Sequence, residues 1–281
     1  AVGDAFEEAL TLGAQGPTPI VLDASPTDGN PIWLAAWNVD GSPRWAKLER
    51  RGPRGGFSRA ILRAHALGLF LYERPNPGTL YGHCEEFETL VAYDTPGNGG
   101  LVHLDPQTGL LTSTFESTSL PEVEAMERDG GTWLMAGRIL PTSVYASGIP
   151  FVVDGQQLPD RGRVLYRADN QGRPVSPIAR SLGGVSVDNI AVGHDGSILV
   201  GGPAQSLTMG SPMSWTSGEE FAISSGDWNP VAWHLFNPDL QPVCSQTLGR
   251  YESFLSGTAD IAFDGEGGVV IATSISDPIT I

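Results

Sequence analysis

Four residues of metal-ligating type stand side by side in this sequence, as the run His83, Cys84, Glu85 and Glu86. Imidazole, thiolate and carboxylate groups are the ligands of zinc sites, but neighbouring residues rarely converge on one ion without ligands from elsewhere in the chain. We therefore interpret the run as a solvated loop and predict no metal ligand from it, and our leading hypothesis assigns no catalytic residue.

A second set of acidic residues has the chemistry of a calcium site. Asp23, Asp28 and Asp40 lie near Gly29 and Gly41, and calcium prefers carboxylate and carbonyl oxygens. Their spacing fits no EF-hand loop, and Asx turns explain them more simply. Calcium is the one cofactor that the sequence leaves open.

Carboxylates in long polar segments could also serve a carbohydrate-active enzyme, because glycosidases use two opposed carboxyl groups. The candidates are Glu85, Glu86, Asp154, Glu219 and Asp227. Nucleophilic catalysis by serine has less support, since no Gly-x-Ser-x-Gly sequence occurs. His103 and His234 occupy nearly equivalent places in a repeat, which is typical of a tolerant position and not of a catalytic triad.

The elements that position these residues follow a repeat of about 65 residues. One series of turns is centred on Asn38, Asp105, Asp169 and Asn237, and a second on Gly68, Gly131, Gly196 and Gly265. Asn/Asp and Asp-Gly turns between apolar runs are signals for β-hairpins. Two hairpins per period predict four antiparallel strands, and a recurring four-stranded sheet predicts an all-β fold, a small β-propeller of four to five blades.

We predict a single β-propeller domain over residues 1–281, with repeats at about 1–50, 57–117, 120–182, 185–249 and 257–281. The first and last hairpins are of opposite type, so they can share one blade and hide both sheet edges. That closure gives four blades. The alternative places residues 9–12 and 20–24 in a complete first blade and gives five.

The repeats resemble the β-propeller repeat families of large secreted bacterial proteins. The resemblance is carried by the Asp-x-x-Gly-type hairpins, the Asn/Asp turns and the endings Leu182-Gly183 and Leu248-Gly249. Residues 103–109 also resemble the turn of quinoprotein-type propeller repeats. The resemblance covers residues 31–275 and implies the propeller fold, but propellers host many chemistries and it leaves the function open.

Three long insertions follow the second strand of successive repeats, at about residues 73–99, 140–162 and 203–229. Their common phase predicts that they lie on one face, where repeat proteins build binding surfaces. Aromatic side chains there could stack on sugars or anchor a protein.

The candidate ligand-binding residues are Tyr81, Tyr145, Asp154, Trp215 and Trp228. Our leading hypothesis is a non-catalytic module that binds a protein or glycan partner. The alternatives are the carbohydrate-active enzyme and an architectural subunit of a larger surface assembly.

Charge and cysteine content narrow the partners and the compartment. The net charge of −16 argues against nucleic acid and against an anionic membrane surface, and no apolar run is long enough to span a membrane. Cys84 and Cys244 could form one disulfide in an oxidising compartment or remain two thiols. We expect a bacterial, extracytoplasmic protein.

Overall fold

A computed structural model describes the strands of the chain, their turns and a few flanking positions. The described residues are 2–3, 10–14, 16, 18–22, 32–49, 60–65, 68–73, 100–116, 122–139, 152–153, 156–157, 162–182, 187–203, 212–215, 221–222, 231–248 and 260–272. None of these residues is helical, and so the described part contains no helix able to cross a membrane.

The chain divides into two compact units, Ala1–Thr118 with Tyr145–Ser147, and Ser119–Val144 with Gly148–Ile281. The single domain stays a prediction. The strands described in the first unit are β1 (Val2–Gly3), β2 (Leu10–Leu12), β3 (Ile20–Leu22), β4 (Ile32–Trp37), β5 (Pro43–Glu49), β6 (Ala60–His65), β7 (Gly68–Glu73), β8 (Gly100–Leu104) and β9 (Leu111–Glu116).

The second unit continues the numbering. Its described strands are β10 (Glu122–Asp129), β11 (Thr132–Ile139), β12 (Val152–Val153), β13 (Gln156–Gln157), β14 (Gly162–Ala168), β15 (Pro174–Leu182), β16 (Asn189–Val192), β17 (Ile198–Pro203), β18 (Pro212–Trp215), β19 (Phe221–Ala222), β20 (Val231–Phe236), β21 (Pro242–Leu248), β22 (Asp260–Phe263) and β23 (Val269–Ala272).

Three sheets repeat one strand order. These are β6-β7-β8-β9, β10-β11-β14-β15 and β16-β17-β20-β21, and the second is extended by β18 and β19. Neighbouring strands are antiparallel throughout, and each four-stranded set consists of two hairpins joined side by side. The predictions of an all-β chain and of four antiparallel strands in a repeat are therefore confirmed for these sheets.

One turn geometry recurs at the ends of four hairpins. In the turns that begin at Asn38, Asp169, Gly193 and Asn237, the first amide donates to the fifth carbonyl and the fourth amide donates back to the first carbonyl. The fourth residue has positive φ, and it is glycine in three turns but Leu240, with φ 58°, in the last. A Cβ disfavours this region. Leu240 is only 2% exposed, so burial of its side chain offsets the backbone cost.

In the second unit, the β10-β11-β14-β15 sheet shares a hydrophobic core with the β16-β17-β20-β21 sheet. The core is formed by Ala125, Leu134, Ala136, Leu165 and Ala179 together with Val187, Ile190, Ile198, Val200, Phe236 and Leu240. The other face of the first of these sheets is buried as well, because Met135 and Tyr166 have no exposed area. Alternating side chains of one strand thus lie in apolar surroundings on both sides of the sheet.

Two arginines of β14 lie at opposite ends of this core. Arg163 Nε donates to both carboxylate oxygens of Glu124, at 2.9 and 3.2 Å. Arg167 pairs with Asp129 and donates from Nη2 to the carbonyl of Pro238 in the facing sheet, at 2.8 Å. Polar contacts therefore hold the two ends of an apolar contact region.

In the first unit, too, a side-chain N–H donates to a turn carbonyl of a neighbouring sheet, but the donor is a tryptophan and not an arginine. The β4–β5 hairpin packs on the β6-β7-β8-β9 sheet through a cluster that includes Trp45, Leu71 and Leu104. Trp45 Nε1 donates to the carbonyl of Pro106 at 3.1 Å. Pro106 and Pro238 each follow the Asp or Asn that begins the second turn of a sheet. An equivalent turn carbonyl thus accepts a hydrogen bond from another sheet in both units.

The first and last hairpins each have pairing partners within their own unit. β4 pairs with β1, Val2 opposite Leu34 and Gly3 opposite Trp33, and β23 pairs with β22 alone among the described strands. A blade shared by the first and last hairpins stays a prediction. The alternative first blade is not formed by the described residues of the first unit, because β2 and β3 make a two-stranded sheet of their own that contacts β5.

Candidate functional site

The three insertions occupy one place in the strand order, between the second and third strands of a sheet. Glu73 is opposite Gly100, Ile139 is opposite Gly162, and Pro203 is opposite Val231. The residues that flank each insertion are therefore cross-strand partners on neighbouring strands. The prediction that all three lie on one face is not tested by these pairings and stays a prediction.

The insertions of the second unit both contact β15. The third insertion forms β18, which pairs with β15 through Ser181 opposite Trp215 and Leu182 opposite Ser214. The second insertion forms the β12–β13 hairpin, and β12 contacts β15. Two segments that are far apart in sequence therefore both contact one strand, and β18 does so at its last residues.

These insertion strands were not predicted. One signal was present, because Asp154-Gly155 separates β12 from β13 and has the same composition as the other hairpin turns. The pairing of β18 with β15 has no such local signal. It depends on an open sheet edge that is distant in sequence.

Of the predicted ligand-binding residues, the structure describes only the backbone of Trp215. Trp215 ends β18 at the register position opposite Ser181. Tyr81, Tyr145, Asp154 and Trp228 lie outside the described residues, as do all five carboxylates considered for a carbohydrate-active enzyme. Their proposed roles stay predictions.

The predicted disulfide is also untested, because Cys84 lies outside the described residues. Cys244 lies on β21, opposite Leu235 of β20, and is partly buried. Its partner strand is thus an apolar strand of the same sheet.

Asp40, one of the three residues considered for calcium, is hydrogen-bonded within its own turn. Asp40 Oδ1 accepts hydrogen bonds from the hydroxyl and the backbone amide of Ser42, at 2.6 and 2.9 Å. These bonds lower the pKa of Asp40, as expected for donors that stabilise the charged form. Asp23 and Asp28 lie outside the described residues, and no group of three metal-ligating side chains occurs within them.

In the second unit, polar side chains lie near the beginning of the first strand of each successive sheet, namely β10, β16 and β22. Glu124 occupies a β-bulge of β10, is 7% exposed and accepts from the Val187 amide at 3.4 Å in addition to Arg163. Asn189 Nδ2 donates to Asp260 Oδ1 across the next pair of first strands. Sequence analysis missed this series, because each residue is ordinary by itself and only the sheet order brings them together.

The two histidines thought equivalent differ in environment. His103 lies two residues before its turn and stacks on Phe70, with ring centroids 4.4 Å apart. His234 lies three residues before its turn, is fully buried, and its Nδ1 is 2.7 Å from Ser245 Oγ. A shift of one residue reverses the sheet face. Their nearly equivalent places in the repeat therefore fall on opposite faces of the sheet, and burial lowers the pKa of His234 to about 4.

The His234–Ser245 pair has the residue types of a nucleophilic dyad but not its access. A serine nucleophile must reach a substrate carbonyl, whereas His234 has no exposed area and its neighbours include Val200 and Phe236. We interpret this pair as a core hydrogen bond. No protein-family model matches the chain, and no curated protein is significantly similar to it. The resemblance to propeller repeat families therefore stays a prediction.

Proposed function

We propose that this chain is a non-catalytic, extracytoplasmic binding module of bacterial origin that holds a protein or glycan partner on its insertions. The observation that carries the proposal is the convergence of the second and third insertions on one strand, β15. A segment tied to a sheet by strand pairing loses less conformational freedom when a partner binds than a free loop does. The convergence therefore favours a preformed binding surface.

The scaffold that we propose is a β-propeller of four to five blades. Two features of the second unit support this arrangement. The first strands of successive sheets are neighbours, β10 beside β16 and β16 beside β22, as expected for blades around a common axis. In addition, both faces of the β10-β11-β14-β15 sheet are buried, as expected for a blade between two others.

The composition of the insertions supports a partner and not a structural role alone. Trp215 stands where the third insertion pairs with β15, and tryptophan is enriched in the energetically important centres of interfaces. The predicted residues Tyr81, Tyr145, Asp154 and Trp228 would extend this surface. The strongly acidic chain, at −16, favours a neutral or basic partner over an anionic one.

Exchange of the insertions tests the proposal. Residues 74–99, 140–161 and 204–230 would be replaced by short Gly-Ser linkers, singly and together, and binding to a glycan array and to proteins recovered by pull-down would be compared with the intact chain. We expect loss of binding when the second or third insertion is replaced. Binding that survives the replacement of all three insertions would refute the proposal.

A point variant refines the test. Trp215→Ala should weaken binding by about tenfold to a hundredfold, the effect of losing one aromatic anchor. Val39→Ala is the matched control, since Val39 is an exposed apolar residue of a short turn outside the insertions. Equal effects of the two substitutions would place the partner elsewhere.

A further inference from the structure

Four Asp-Gly steps lie in the turns that the structure describes: Asp40-Gly41, Asp129-Gly130, Asp195-Gly196 and Asp264-Gly265. At such a step the glycine nitrogen can attack the side-chain carboxyl carbon of the aspartate, because glycine has no Cβ to hinder the approach. A C–N bond forms, the C–OH bond breaks, and water leaves with the proton of the nitrogen. A second water opens the resulting succinimide at its α-carbonyl. The main chain then runs through the side-chain carbon as isoaspartate, with no net change in mass.

Two of these steps are restrained on both reacting groups. The carboxylates of Asp40 and Asp195 each accept from the hydroxyl and the amide of the serine two residues later, at 2.6–2.9 Å. The amides of Gly41 and Gly196 donate to the first carbonyl of their turns at 3.0 Å. These contacts restrict the rotation that would bring the glycine nitrogen and the carboxyl carbon together.

The charge of the carboxyl group adds to this protection. Loss of water requires the neutral carboxyl, and hydrogen bonds from Ser42 and Ser197 lower the pKa values of Asp40 and Asp195. The neutral form is therefore scarcer than in an unrestrained aspartate. Asp129 is restrained differently, by its ion pair with Arg167.

The turn at Asp264 is built in another way. Its carboxylate accepts from the amides of Glu266 and Gly268, both at 2.8 Å and both at Oδ1. Gly265 and Gly267 have positive φ, and within the described residues no hydrogen bond restrains the Gly265 amide. Three of the five turn residues are glycine, so the backbone can reach geometries closed to the other turns.

We infer that Asp264-Gly265 is the described Asp-Gly step that isomerises in the folded protein. The change has a structural consequence, because it inserts a methylene into the main chain of the turn that joins β22 to β23. Phe263 and Val269 face each other immediately beside this turn, so their register would be disturbed first. The site is a chemical modification site and does not depend on the proposed binding function.

Isoaspartate mapping during storage tests the inference. The native full chain would be incubated at neutral pH and physiological temperature, digested at intervals, and analysed by mass spectrometry with electron-transfer fragmentation, which distinguishes isoaspartate from aspartate. We expect isoaspartate at position 264 to accumulate severalfold faster than at positions 40, 129 and 195. In the urea-unfolded chain the four steps should react at similar rates, since every glycine amide is then equally free.

Two variants separate the restraint from the local sequence. Ser42→Ala and Ser197→Ala remove the hydroxyl donors and should raise the rates at positions 40 and 195, leaving position 264 unchanged. Native rates at position 40 or 195 that equal the rate at 264 would overturn the inference. So would a native chain in which position 264 stays unmodified while the unfolded chain reacts.

Discussion

The buried imidazole of His234 should make the stability of this protein depend on pH in a defined window. His234 is neutral in the folded state because burial lowers its pKa from the ordinary value of 6.5 to about 4. In the unfolded chain the imidazole is in water and takes up a proton near pH 6.5. Between these two values the unfolded state binds more protons than the folded state, so protons favour unfolding.

The sign and the size of the effect follow from these two pKa values. The contribution of His234 is fully present above pH 6.5, is lost as the pH falls towards 4, and changes little below 4, where both states are protonated. A difference of about 2.5 pH units corresponds to roughly 3 kcal/mol at about 1.4 kcal/mol per unit. The carboxylates of Asp40, Asp105 and Asp195, whose pKa values are lowered by hydrogen bonds, lose their contributions only below their ordinary pKa of 3.8.

Urea unfolding followed by tryptophan fluorescence, between neutral pH and pH 4, measures this window. In His234→Gln the amide can still bond Ser245 Oγ but does not titrate. The difference in unfolding free energy between wild type and variant should therefore change by about 3 kcal/mol across the window. His194→Gln, in an exposed turn, should leave the wild-type profile in place. A wild-type-minus-variant difference that is the same at both ends of the window would refute the reasoning.

Four further substitutions, of which Arg44→Met is a control, test the packing, each by the midpoint and free energy of urea unfolding. Leu240→Gly relieves a positive φ but removes a side chain that is 2% exposed, and the lost burial should prevail by roughly 1–3 kcal/mol. Arg167→Met removes the bonds to the facing turn and to its own sheet and should cost about 1–3 kcal/mol, whereas Arg44→Met at an exposed pair should stay within about 0.5 kcal/mol. Glu124→Gln leaves the guanidinium of Arg163, 12% exposed, without its counter-charge and should cost about 3 kcal/mol. An unchanged midpoint in any of the first, second or fourth variants would contradict the contact on which it depends.

The hairpins could be predicted because their signals are local. An Asp or Asn side chain that bonds nearby amides fixes the turn whatever the rest of the chain does, as Asp169 Oδ1 does with the amides of Gln171 and Arg173. The pairing of hairpins into four-stranded sheets followed from their alternation at one period. Even the turn without glycine at Leu240 forms, since Asn237 Oδ1 supplies the same bonds.

The environments of individual side chains were harder to predict, because the number of residues between a side chain and its turn decides on which face of the sheet it lies. The turn after His103 closes with a bond from the Asp105 amide to the Leu110 carbonyl, whereas the turn after His234 closes from Asn237 to Gln241. The first turn is therefore one residue longer. Independently of this, His103 precedes its turn by two residues and His234 precedes its turn by three, so the two histidines differ by one position. A displacement of one residue separates a partly buried imidazole from a fully buried one.

The insertion strands could not be predicted for a different physical reason. The edge of β15 is a row of backbone donors and acceptors that any extended segment can pair with, so the sequence of β18 need satisfy almost no side-chain condition. Backbone pairing thus places Trp215 opposite Ser181. This pairing does not require a tryptophan at that position. Selection for a partner acts on such side chains without constraint from the fold.

In the repeat, too, backbone groups keep their positions while the side chains that bond to them differ. The turn carbonyls of Pro106 and Pro238 occupy equivalent places, yet one accepts from the indole of Trp45 and the other from the guanidinium of Arg167. The acceptor is a backbone group that the turn always presents, whereas the donor needs only a suitable N–H at the right distance. What recurs in this chain is therefore a pattern of backbone hydrogen bonds, with residue identity free to change around it. Such a repeat reveals its sheets through turn chemistry, and the proposed partner would have to be identified from the insertions.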